Sequence, residues 1–375
     1  MSEENLAENR DEKAKKIQHP KGKLSAYERI DLLLDEGSFT EIDENVVSEE
    51  NPDGEAVITG SGTIHGRPVY VFSEDFSIMG GSLGEIVAKK ILRVMDLALD
   101  ARAPIVGIKD SGGARIQEGI SSLYGYAQIF KKNVEASGKI PQISVVVGPS
   151  AGGAVYSPAL TDFIFQVQGI GQLYVTGPGV VKTVTGEDVS YEELGGVEAH
   201  GTKSGVSHQI CENEEQAFEE VRYLLSFLPQ SSDQKPPVFI TEDDNERSVE
   251  MLDSLIPENR NHPYDMNDVI NNIVDDGEQY PVQSNYALNI ITSFSRISGN
   301  TVGIIANQPL DFAGVLDIKA SEKAARFVRF CDAFNIPLLT LVDVPGFLPG
   351  VEQEHSGIIR SGAKLLYAYA ESTVP

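Results

Sequence analysis

IVGIKDSGGAR at residues 105–115 and ISVVVGPSAGGA at residues 143–154 are the two stretches that decide the fold of this 375-residue chain. Each begins with a short apolar run that has the length and the β-branched bias of a buried strand, and each run ends in glycines. A helix-compatible segment follows both of them. The pattern, which extends from Pro104 to Asp162, predicts an α/β fold with two parallel strands joined by a helical crossover.

The two glycine turns also indicate a chemistry. Glycine lets the backbone pass close to a ligand, and the first amides of a helix have no partner within that helix. Such a turn therefore offers N–H donors to an oxygen that bears negative charge. Two turns at successive strand ends form a candidate oxyanion hole. The alternative is that the glycines only permit tight connections in a parallel sheet.

The composition limits the class of protein. The chain has 30 basic and 56 acidic residues, which gives a net charge of −26, and this field repels nucleic acids and anionic membranes. Only Cys211 and Cys331 are present, so no disulfide framework and no CxxC zinc site is expected. The sequence begins without a signal-peptide pattern and has no apolar run of about 20 residues. We expect a soluble, cytoplasmic protein.

The stretch from about residue 300 repeats the first half of the chain with a shift of 233. Pro104 lies six residues before Asp110, and Pro337 lies six residues before Asp343. Each aspartate closes an apolar run and precedes glycine. This self-similarity predicts a duplicated domain. Further upstream, a glycine loop and a basic helix follow two similar dipeptides, Asp75-Phe76 and Asp311-Phe312.

The second copy stops at Pro375, where the counterpart of the second strand and its glycine turn should begin. We therefore expect a truncated second copy. The chain in isolation is expected to show low or no activity, because half of its transfer site would be missing.

Few side chains outside the turns suggest catalysis. Glu85 and Glu118 are the carboxylates available for the proton transfer that a hydratase needs. Both equally suit the first turn of a helix, where the helix dipole favours acidic side chains. His200, His208 and Cys211 have a loose metal-like spacing, but no second cluster completes it. No Ser/His/Asp constellation stands out.

Four other segments lack a specific motif. Residues 1–20 are expected to form a charged N-terminal arm, and the acidic residues 41–55 a solvated linker. Residues 191–205 are glycine-rich and are expected to fold over the site as a loop. On a long helix predicted at residues 84–100, three cations form either a solvated face or a landing place for a phosphorylated ligand, namely Lys89, Lys90 and Arg93.

Six motifs, distributed over nearly the whole chain, match a known family. They are KGKLSAYER at 21–29, SGGARIQEG at 111–119, AGGAVYSPALTD at 151–162, ELGG at 193–196, ARFVRFCD at 325–332 and DVPGFLPG at 343–350. With these motifs the chain resembles the carboxyltransferase β subunits of biotin-dependent acyl-CoA carboxylases, especially the propionyl-CoA carboxylase type. The family also contains α subunits of biotin-dependent decarboxylases such as methylmalonyl-CoA decarboxylase, and the motifs do not separate the two.

The resemblance implies a fold and an assembly. The implied fold is α/β, a duplicated crotonase-like (ClpP/crotonase) ββα superhelix whose second copy is truncated here. The implied domains are the arm at residues 1–20, a CoA carboxyltransferase N-terminal domain at 21–281 and an incomplete C-terminal domain at 284–375. In such proteins the site lies between the N-terminal half of one subunit and the C-terminal half of another in a hexamer.

The resemblance also implies a reaction. Carboxybiotin on a partner carrier domain releases CO2, and the biotin enolate takes the α-proton of an acyl-CoA such as propionyl-CoA or acetyl-CoA. The resulting thioester enolate attacks CO2. This sequence needs no protein base and no metal in the subunit. The implied partner is a biotin carboxylase and biotin carrier subunit, whereas no nucleic acid or membrane is expected to bind.

The site residues that the resemblance implies fall into three groups. The catalytic amides are those of Gly113, Ala114, Gly152, Gly153 and Ala154. The acyl-CoA-binding residues are Ser111, Gly112 and Arg115 in the first half and Lys319, Lys323, Arg326 and Arg329 in the second. The biotin side is formed by Val344, Pro345, Gly346 and Phe347, and the family carries a second oxyanion hole on a turn beyond Pro375.

Two functions of other classes stay open on the sequence alone. An inactive CoA-binding scaffold would bind an acyl-CoA without exchanging its α-proton or its carboxyl group. A stand-alone crotonase-type hydratase would lose its activity when Glu118 and Glu85 are substituted.

Overall fold

The computed structural model describes residues 3–48, 51–52, 54–244, 246–259 and 262–375. The chain divides into two units, of which unit 1 ends at Ser226 and unit 2 extends from Phe227 to Pro375. The domain boundary implied by the family, between residues 281 and 284, is a division by sequence motif and stays a prediction.

Unit 1 is built on one sheet, which has eight strands in the described part of the chain. The strands are β1 (Thr40–Glu41), β2 (Val57–Ile64), β3 (Arg67–Glu74), β4 (Ile105–Ser111), β5 (Gln142–Ala151), β6 (Phe163–Val167), β7 (Gln172–Tyr174) and β8 (Gln209–Cys211). The helices are α1 (Glu3–Gln18), α2 (Ala26–Leu33), α3 (Glu85–Ala101), α4 (Ile120–Ala136), α5 (Gly153–Ala159), α6 (Pro178–Thr185), α7 (Tyr191–Gly195) and α8 (Glu214–Phe227).

The order of the strands confirms the predicted topology. The sheet runs β1-β2-β3-β4-β5-β6-β8, and β7 pairs with the end of β5. β2 and β3 form an antiparallel hairpin, whereas β3, β4, β5, β6 and β8 are parallel. α4 connects β4 to β5, so the two runs quoted above are parallel strands with a helical crossover.

The core of unit 1 lies between α3 and the sheet. The apolar stripe of α3 recurs every three or four residues and is at most 1% exposed, at Val87, Ile91, Val94, Met95 and Ala98. These side chains share one cluster with residues of the β2–β3 hairpin and of α4. β4 is buried along its whole length. Its polar side chains, Lys109 and Asp110, therefore need partners inside the protein.

Unit 2 contains a smaller sheet of four strands within the described residues, in the order β12-β11-β10-β9. These strands are β9 (Gln279–Pro281), β10 (Ile290–Ile297), β11 (Asn300–Asn307) and β12 (Leu338–Leu341). The helices are α9 (Leu252–Leu255), α10 (Met266–Ile273), α11 (Ile318–Ala333), α12 (Val351–Ser356) and α13 (Ile358–Glu371). β10 and β11 form an antiparallel hairpin, and β12 is parallel to β11.

The duplication is confirmed element by element. β10 and β11 lie 233 residues after β2 and β3 at both of their ends, since 290 − 57 and 307 − 74 are both 233. α11 begins 233 residues after α3, and β12 begins 233 residues after β4. Both copies therefore share a β-hairpin, a helix and a parallel strand.

One pairing within the predicted repeat is wrong. Asp75-Phe76 does not correspond to Asp311-Phe312, because the 3₁₀ turns Met79–Gly81 and Phe312–Gly314 are equivalent at the same shift of 233. Asp75 therefore matches Gln308. The dipeptide similarity misled because it lies three residues out of register.

Two segments predicted to be irregular have a different structure. Residues 191–205 contain α7, whose first amides are capped by Ser190, and a π-helical turn at Ala199–Lys203. In the segment 41–55, Glu55 is completely buried, so this part is not a solvated linker, while residues 49, 50 and 53 lie outside the described part. The N-terminal arm contains α1. Among the described residues, no helix combines the length and apolar character needed to cross a membrane.

Candidate active site

The first glycine turn follows β4 and exposes one amide. Leu83 N–H donates to the Gly113 carbonyl at 2.9 Å, and Arg115 N–H donates to the Leu83 carbonyl at 2.9 Å. These two hydrogen bonds tie Leu83 to the residues on either side of Ala114 and form an isolated parallel β-bridge. The N–H of Ala114 itself is directed away from Leu83. No acceptor for the Ala114 N–H is found in the described part of the chain.

Glycine is required at position 113 for two reasons. Its φ is +99°, which side chains rarely adopt. A Cβ there would lie 2.8 Å from the Ala151 carbonyl oxygen of the second turn. The same observation shows how close the two turns are. Ser111 is paired with Ser150 in the sheet, so the ends of β4 and β5 lie side by side.

The second turn leads directly into α5. Gly152 has φ +59° and ψ −119°, a conformation favourable only for glycine. Gly153 packs against the face of the Tyr126 ring, which a Cβ would approach to 2.7 Å. The N–H groups of Gly153 and Ala154 lie in the first helical turn and find no acceptor among the described residues. The structure thus brings the predicted catalytic amides of both turns together.

Asp110, at the end of β4, is fixed by a buried ion-pair network. Its carboxylate is within 2.9 Å of Arg29 Nη1 and 2.6 Å of Lys23 Nζ, and Gln18 Nε2 donates to it at 3.0 Å. Arg29 also pairs with Glu214. Asp110 and Arg29 are both 0% exposed, and burial lowers the pKa of Lys23. The motif KGKLSAYER therefore anchors the strand that carries the first turn.

A second buried pair supports the same strand. Asp110 N–H donates to Glu74 Oε2 at 2.9 Å, and Glu74 Oε1 lies 3.5 Å from Lys109 Nζ. Burial raises the pKa of Glu74 and lowers that of Lys109. Neither Glu74 nor Lys109 is among the predicted site residues. The only available signal was the charged pair Lys109-Asp110 within an otherwise apolar strand.

Arg115 is buried and paired and does not face an open site. Its Nη2 lies 3.2 Å from Glu55 Oε2, and its Nη1 lies 2.9 Å from Glu118 Oε1. Nη2 also donates to the Ser82 carbonyl at 3.3 Å. The guanidinium that was predicted to bind substrate thus joins the first turn to the segment before α3.

Glu118 and Glu85 have structural partners. The Glu85 N–H donates to Glu118 Oε2 at 2.5 Å, so Glu118 satisfies one of the free amides at the start of α3. Glu85 itself pairs with Lys89 at 2.6 Å. These contacts favour the reading of both residues as helix-start acids. They leave the proton transfer of a hydratase without an obvious donor in this turn.

Unit 2 contains the equivalent of the first turn. Leu316 N–H donates to the Gly346 carbonyl at 3.0 Å, and Leu348 N–H donates to the Leu316 carbonyl at 2.8 Å. Phe347 thus occupies the place of Ala114 after the shift of 233, and its N–H has no acceptor among the residues described. The predicted biotin-side residues, from Val344 to Phe347, lie together in this turn.

The four cations predicted to bind acyl-CoA are not equivalent. Lys323 is buried, and its ammonium donates to the carbonyl oxygens of Gln283, Tyr286, Ala287 and Ile290 at 2.7–3.3 Å. It therefore holds a loop of unit 2 and has no donor left for a ligand. Arg329 pairs with Glu371 at 3.0 Å. Lys319 and Arg326 are exposed.

The three cations on α3 also differ. Lys89 and Arg93 are exposed and pair with Glu85 and Asp43. Lys90 is only 1% exposed, and its ammonium has no hydrogen-bond partner among the described residues. These three side chains therefore form no common landing place for a phosphate.

The residues with metal-like spacing do not form a cluster. His200 Nε2 lies 2.7 Å from the Leu173 carbonyl oxygen, and His208 Nδ1 accepts a hydrogen bond from Ile164 N–H at 3.1 Å. Burial raises the pKa of the Cys211 thiol to about 12. Within the described residues, no group of three potential metal ligands is found.

Comparison with known proteins identifies the family of this chain. The family described as "Carboxyl transferase domain" matches residues 17–375. The chain belongs to the carboxyl transferase family. The propionyl-CoA carboxylase β chain of Roseobacter denitrificans is 57% identical over 96% of this chain and 72% of its own length. The α subunit of methylmalonyl-CoA decarboxylase from Veillonella parvula is also 57% identical, over 97% of this chain and 73% of its own length.

Solved structures confirm the fold of this carboxyltransferase. The crystal structure of transcarboxylase 12S superimposes with a TM-score of 0.95 and 48% identity, over 99% of this chain and 76% of the other. That structure is described as a hexamer assembly with methylmalonyl-coenzyme A and methylmalonic acid bound. The crotonase-like fold is thus confirmed, and the chain is a biotin-dependent carboxyltransferase of the acyl-CoA carboxylase family.

Proposed function

We propose that this chain transfers a carboxyl group between biotin on a partner subunit and the α-carbon of a short acyl-CoA, with propionyl-CoA as the first candidate. The observation that carries the proposal is the pair of adjacent turns in unit 1. The free N–H groups of Ala114 and Gly153 lie at the ends of neighbouring strands. Relatives named propionyl-CoA carboxylase support the choice of acyl group.

The proposed role of these amides is to hold the thioester oxygen. When the α C–H bond of the acyl group breaks, its electron pair moves toward the thioester and places negative charge on that oxygen. N–H donors fixed beforehand by the fold stabilise this charge without having to reorganise. The new C–C bond would then form between the α-carbon and the transferred carboxyl group as the bond between this group and the biotin nitrogen breaks, and the α-proton would end on biotin. Removing one such donor typically costs about 100-fold or more in rate.

The chain's own carboxylates are not assigned the proton transfer. Asp110 is held by Arg29 and Lys23, and Glu118 is held by Arg115 and the amide of Glu85. Each is already used as an acceptor within the fold. We therefore assign to unit 1 the binding and electrostatic stabilisation of the acyl thioester.

The biotin side is proposed to lie at the turn of unit 2. The Phe347 N–H has the same place in its turn as Ala114 and lacks an acceptor among the described residues, which fits a carbonyl group such as that of the biotin ring. Biotin carries the transferable carboxyl group when it is bound. Val344 to Phe347 would then orient the ring, while Lys319 and Arg326 are exposed cations of α11 that suit the phosphates of CoA.

An assembly of several copies is part of the proposal. Large apolar side chains are exposed at the start of α4 in unit 1, at Ile116, Ile120, Leu123 and Tyr124. Unit 2 exposes a similar set on α12 and α13, at Val351, Ile359, Leu366 and Tyr367. Such patches mark protein interfaces. We propose a homo-oligomer, in line with the hexamer described for transcarboxylase 12S, together with a biotin carboxylase and biotin carrier subunit.

The test is the forward reaction of the assembled enzyme. Labelled bicarbonate, ATP and the biotin-bearing partner are supplied with propionyl-CoA, acetyl-CoA or no acceptor, and the label in acyl-CoA is measured. We expect label in the propionyl thioester. Methylmalonyl-CoA and crotonyl-CoA are offered in separate reactions. Loss of CO2 from methylmalonyl-CoA, with no label in the forward assay, would instead favour the decarboxylase. Hydration of crotonyl-CoA would favour a hydratase. Binding of propionyl-CoA with none of these reactions would favour a scaffold.

A further inference from the structure

Arg10 of the N-terminal helix lies at the back of the first glycine turn, residues 111–115 at the end of β4, hereafter the acyl turn. It is 9% exposed, although it belongs to a segment that the sequence indicates as a charged arm. Its Nη2 donates to the Glu55 carbonyl oxygen, and its Nε lies 3.7 Å from Asp75 Oδ2. A long polar side chain that is buried to this degree has to be held by specific partners.

The Glu55 residue links Arg10 to the turn. Glu55 is completely buried; its carbonyl accepts from Arg10, and its carboxylate lies 3.2 Å from Arg115 Nη2. Arg115 in turn donates through its backbone N–H to Leu83, in the bridge that sets the Ala114 amide. A continuous path of hydrogen-bonded groups therefore runs from α1 to the proposed donor.

A second path starts from the same guanidinium. Asp75 lies at the start of the loop that ends in the 3₁₀ turn Met79–Gly81. In this loop Gly80 accepts the Gly112 N–H at 2.9 Å, and the Gly81 carbonyl accepts from Ser111 Oγ at 2.6 Å. Arg10 is thus bound to both of the segments that border the acyl turn.

The Arg10 guanidinium also packs against the backbone at Gly54. Gly54 has φ +143°, and a Cβ there would lie 2.8 Å from Arg10 Nη1. The Arg10 side chain therefore fills the space beside the residue that precedes Glu55. Replacing it with a smaller side chain leaves the Glu55 carbonyl and the Asp75 carboxylate without their cation, in a place from which water is largely excluded.

We propose that Arg10 is a positioning residue of the acyl-CoA site, acting through Glu55 and Arg115 on the amide of Ala114. The inference rests on the proposed function of the acyl turn. It assigns to the N-terminal helix a role in the orientation of the oxyanion donor. A misplaced donor loses more in the transition state than in the ground state, because the charge on the thioester oxygen develops only during the reaction.

The test uses the assembled enzyme with Arg10→Gln and, as a matched control, Arg93→Gln, whose guanidinium pairs with Asp43 at 3.2 Å on the exposed side of α3. We expect Arg10→Gln to lower kcat by about tenfold with KM changed by less than about twofold. Arg93→Gln should leave both unchanged. Equal losses in the two variants, or a rise in KM at constant kcat, would overturn the proposal.

A second measurement does not depend on the reaction. Hydrogen exchange of backbone amides is followed in peptides that cover residues 112–119, with peptides over residues 345–350 of the equivalent turn as the internal reference. Arg10→Gln should speed exchange in the first set alone, and Glu55→Gln should reproduce the effect without adding to it in the double variant. Unchanged exchange at 112–119 refutes the positioning role even if the proposed reaction is confirmed. Faster exchange in Arg10→Gln, combined with no carboxyl transfer by the wild-type enzyme, would support the path from Arg10 through Glu55 and Arg115 and would reject the proposed function.

Discussion

The Arg29 guanidinium and the Asp110 carboxylate form an ion pair of 2.9 Å in which neither side chain is exposed to solvent. Asp110 closes the strand that carries the acyl turn, and Arg29 comes from a helix 81 positions earlier in the chain. The pair therefore connects a motif of the N-terminal region to the site. A buried pair of this kind is costly to break, because the remaining charge stays buried without its partner.

Arg29→Gln should destabilise unit 1 by about 3–5 kcal/mol, since it leaves Glu214 without its cation and Asp110 with Lys23 as its remaining cation. Urea denaturation followed by far-ultraviolet circular dichroism measures the loss. Arg93→Gln removes an ion pair whose arginine is 62% exposed and should change the free energy of unfolding by less than about 1 kcal/mol. If the two variants lost similar amounts of free energy of unfolding, the buried Arg29–Asp110 pair would contribute no more to stability than an exposed ion pair.

Gly113→Ala should lower the transfer rate by about 100-fold, because the added Cβ meets the Ala151 carbonyl and the positive φ is strained. The matched control is Gly179→Ala, whose Cβ meets no atom within 4 Å and whose φ is not in the left-handed region. Steady-state carboxylation of propionyl-CoA gives the comparison. A Gly113→Ala enzyme as active as Gly179→Ala would separate this turn from the chemistry.

Gly153→Ala tests the second turn in the same assay. Its Cβ would approach the Tyr126 ring to 2.7 Å and displace the start of α5, so we expect a loss of at least about tenfold in kcat. Gly179→Ala meets no atom within 4 Å and should retain wild-type activity. Removing the obstacle in Gly153→Ala/Tyr126→Ala should restore part of the rate. A double variant no better than Gly153→Ala would contradict the steric explanation.

Because Lys90 is buried, the free energy of unfolding should depend on pH. Burial lowers the pKa of Lys90 to about 8, whereas an unfolded lysine titrates near 10.4. Between these values the unfolded chain binds more protons than the folded one, so the free energy of unfolding rises as the pH is raised from about 8 to about 10.4.

Lys90→Met should remove the contribution of this lysine to the rise and stabilise the protein at pH 7 by about 3 kcal/mol, at about 1.4 kcal/mol for each pKa unit. A smaller rise should remain in the variant, because burial also lowers the pKa of Lys109 and Lys323. The free energy of unfolding is measured by urea denaturation from pH 7 to pH 10.5. Lys89→Met, at an exposed neighbouring position, should keep the rise of the wild type. The same profile in Lys90→Met and wild type would contradict the assignment.

The sequence was a good guide wherever a pattern is local or repeated. The apolar runs at 105–108 and 143–147 are strands because β-branched residues in short runs favour a buried sheet. Two of the glycines that follow them, Gly113 and Gly152, occupy positive-φ positions that require glycine. The shift of 233 emerged because a duplicated chain repeats its turn residues. Composition and spacing alone did not decide whether the glycine turns form an oxyanion hole or only tight connections. The family motifs then indicated the type of reaction.

The sequence was a poor guide to charged side chains, whose role depends on contacts far apart in the chain. Lys90 and Lys323 are buried at equivalent places in the two repeats. Yet the charge pattern offered Lys90 as either part of a solvated face or a phosphate ligand, and the family resemblance implied that Lys323 binds acyl-CoA. Arg115 was predicted to bind substrate and is paired with Glu55, 60 positions away. No local signal distinguishes such a residue from an exposed one, because burial is decided by tertiary packing.

The most direct test of the proposed function is the reverse half-reaction, carboxyl transfer from methylmalonyl-CoA to free biotin, measured with the assembled enzyme and with its Gly113→Ala variant. The amounts of propionyl-CoA and carboxybiotin formed are determined together. We expect equal amounts of the two products from the wild type and a rate about 100-fold lower in the variant. Propionyl-CoA without carboxybiotin, or equal rates in the two enzymes, would contradict it.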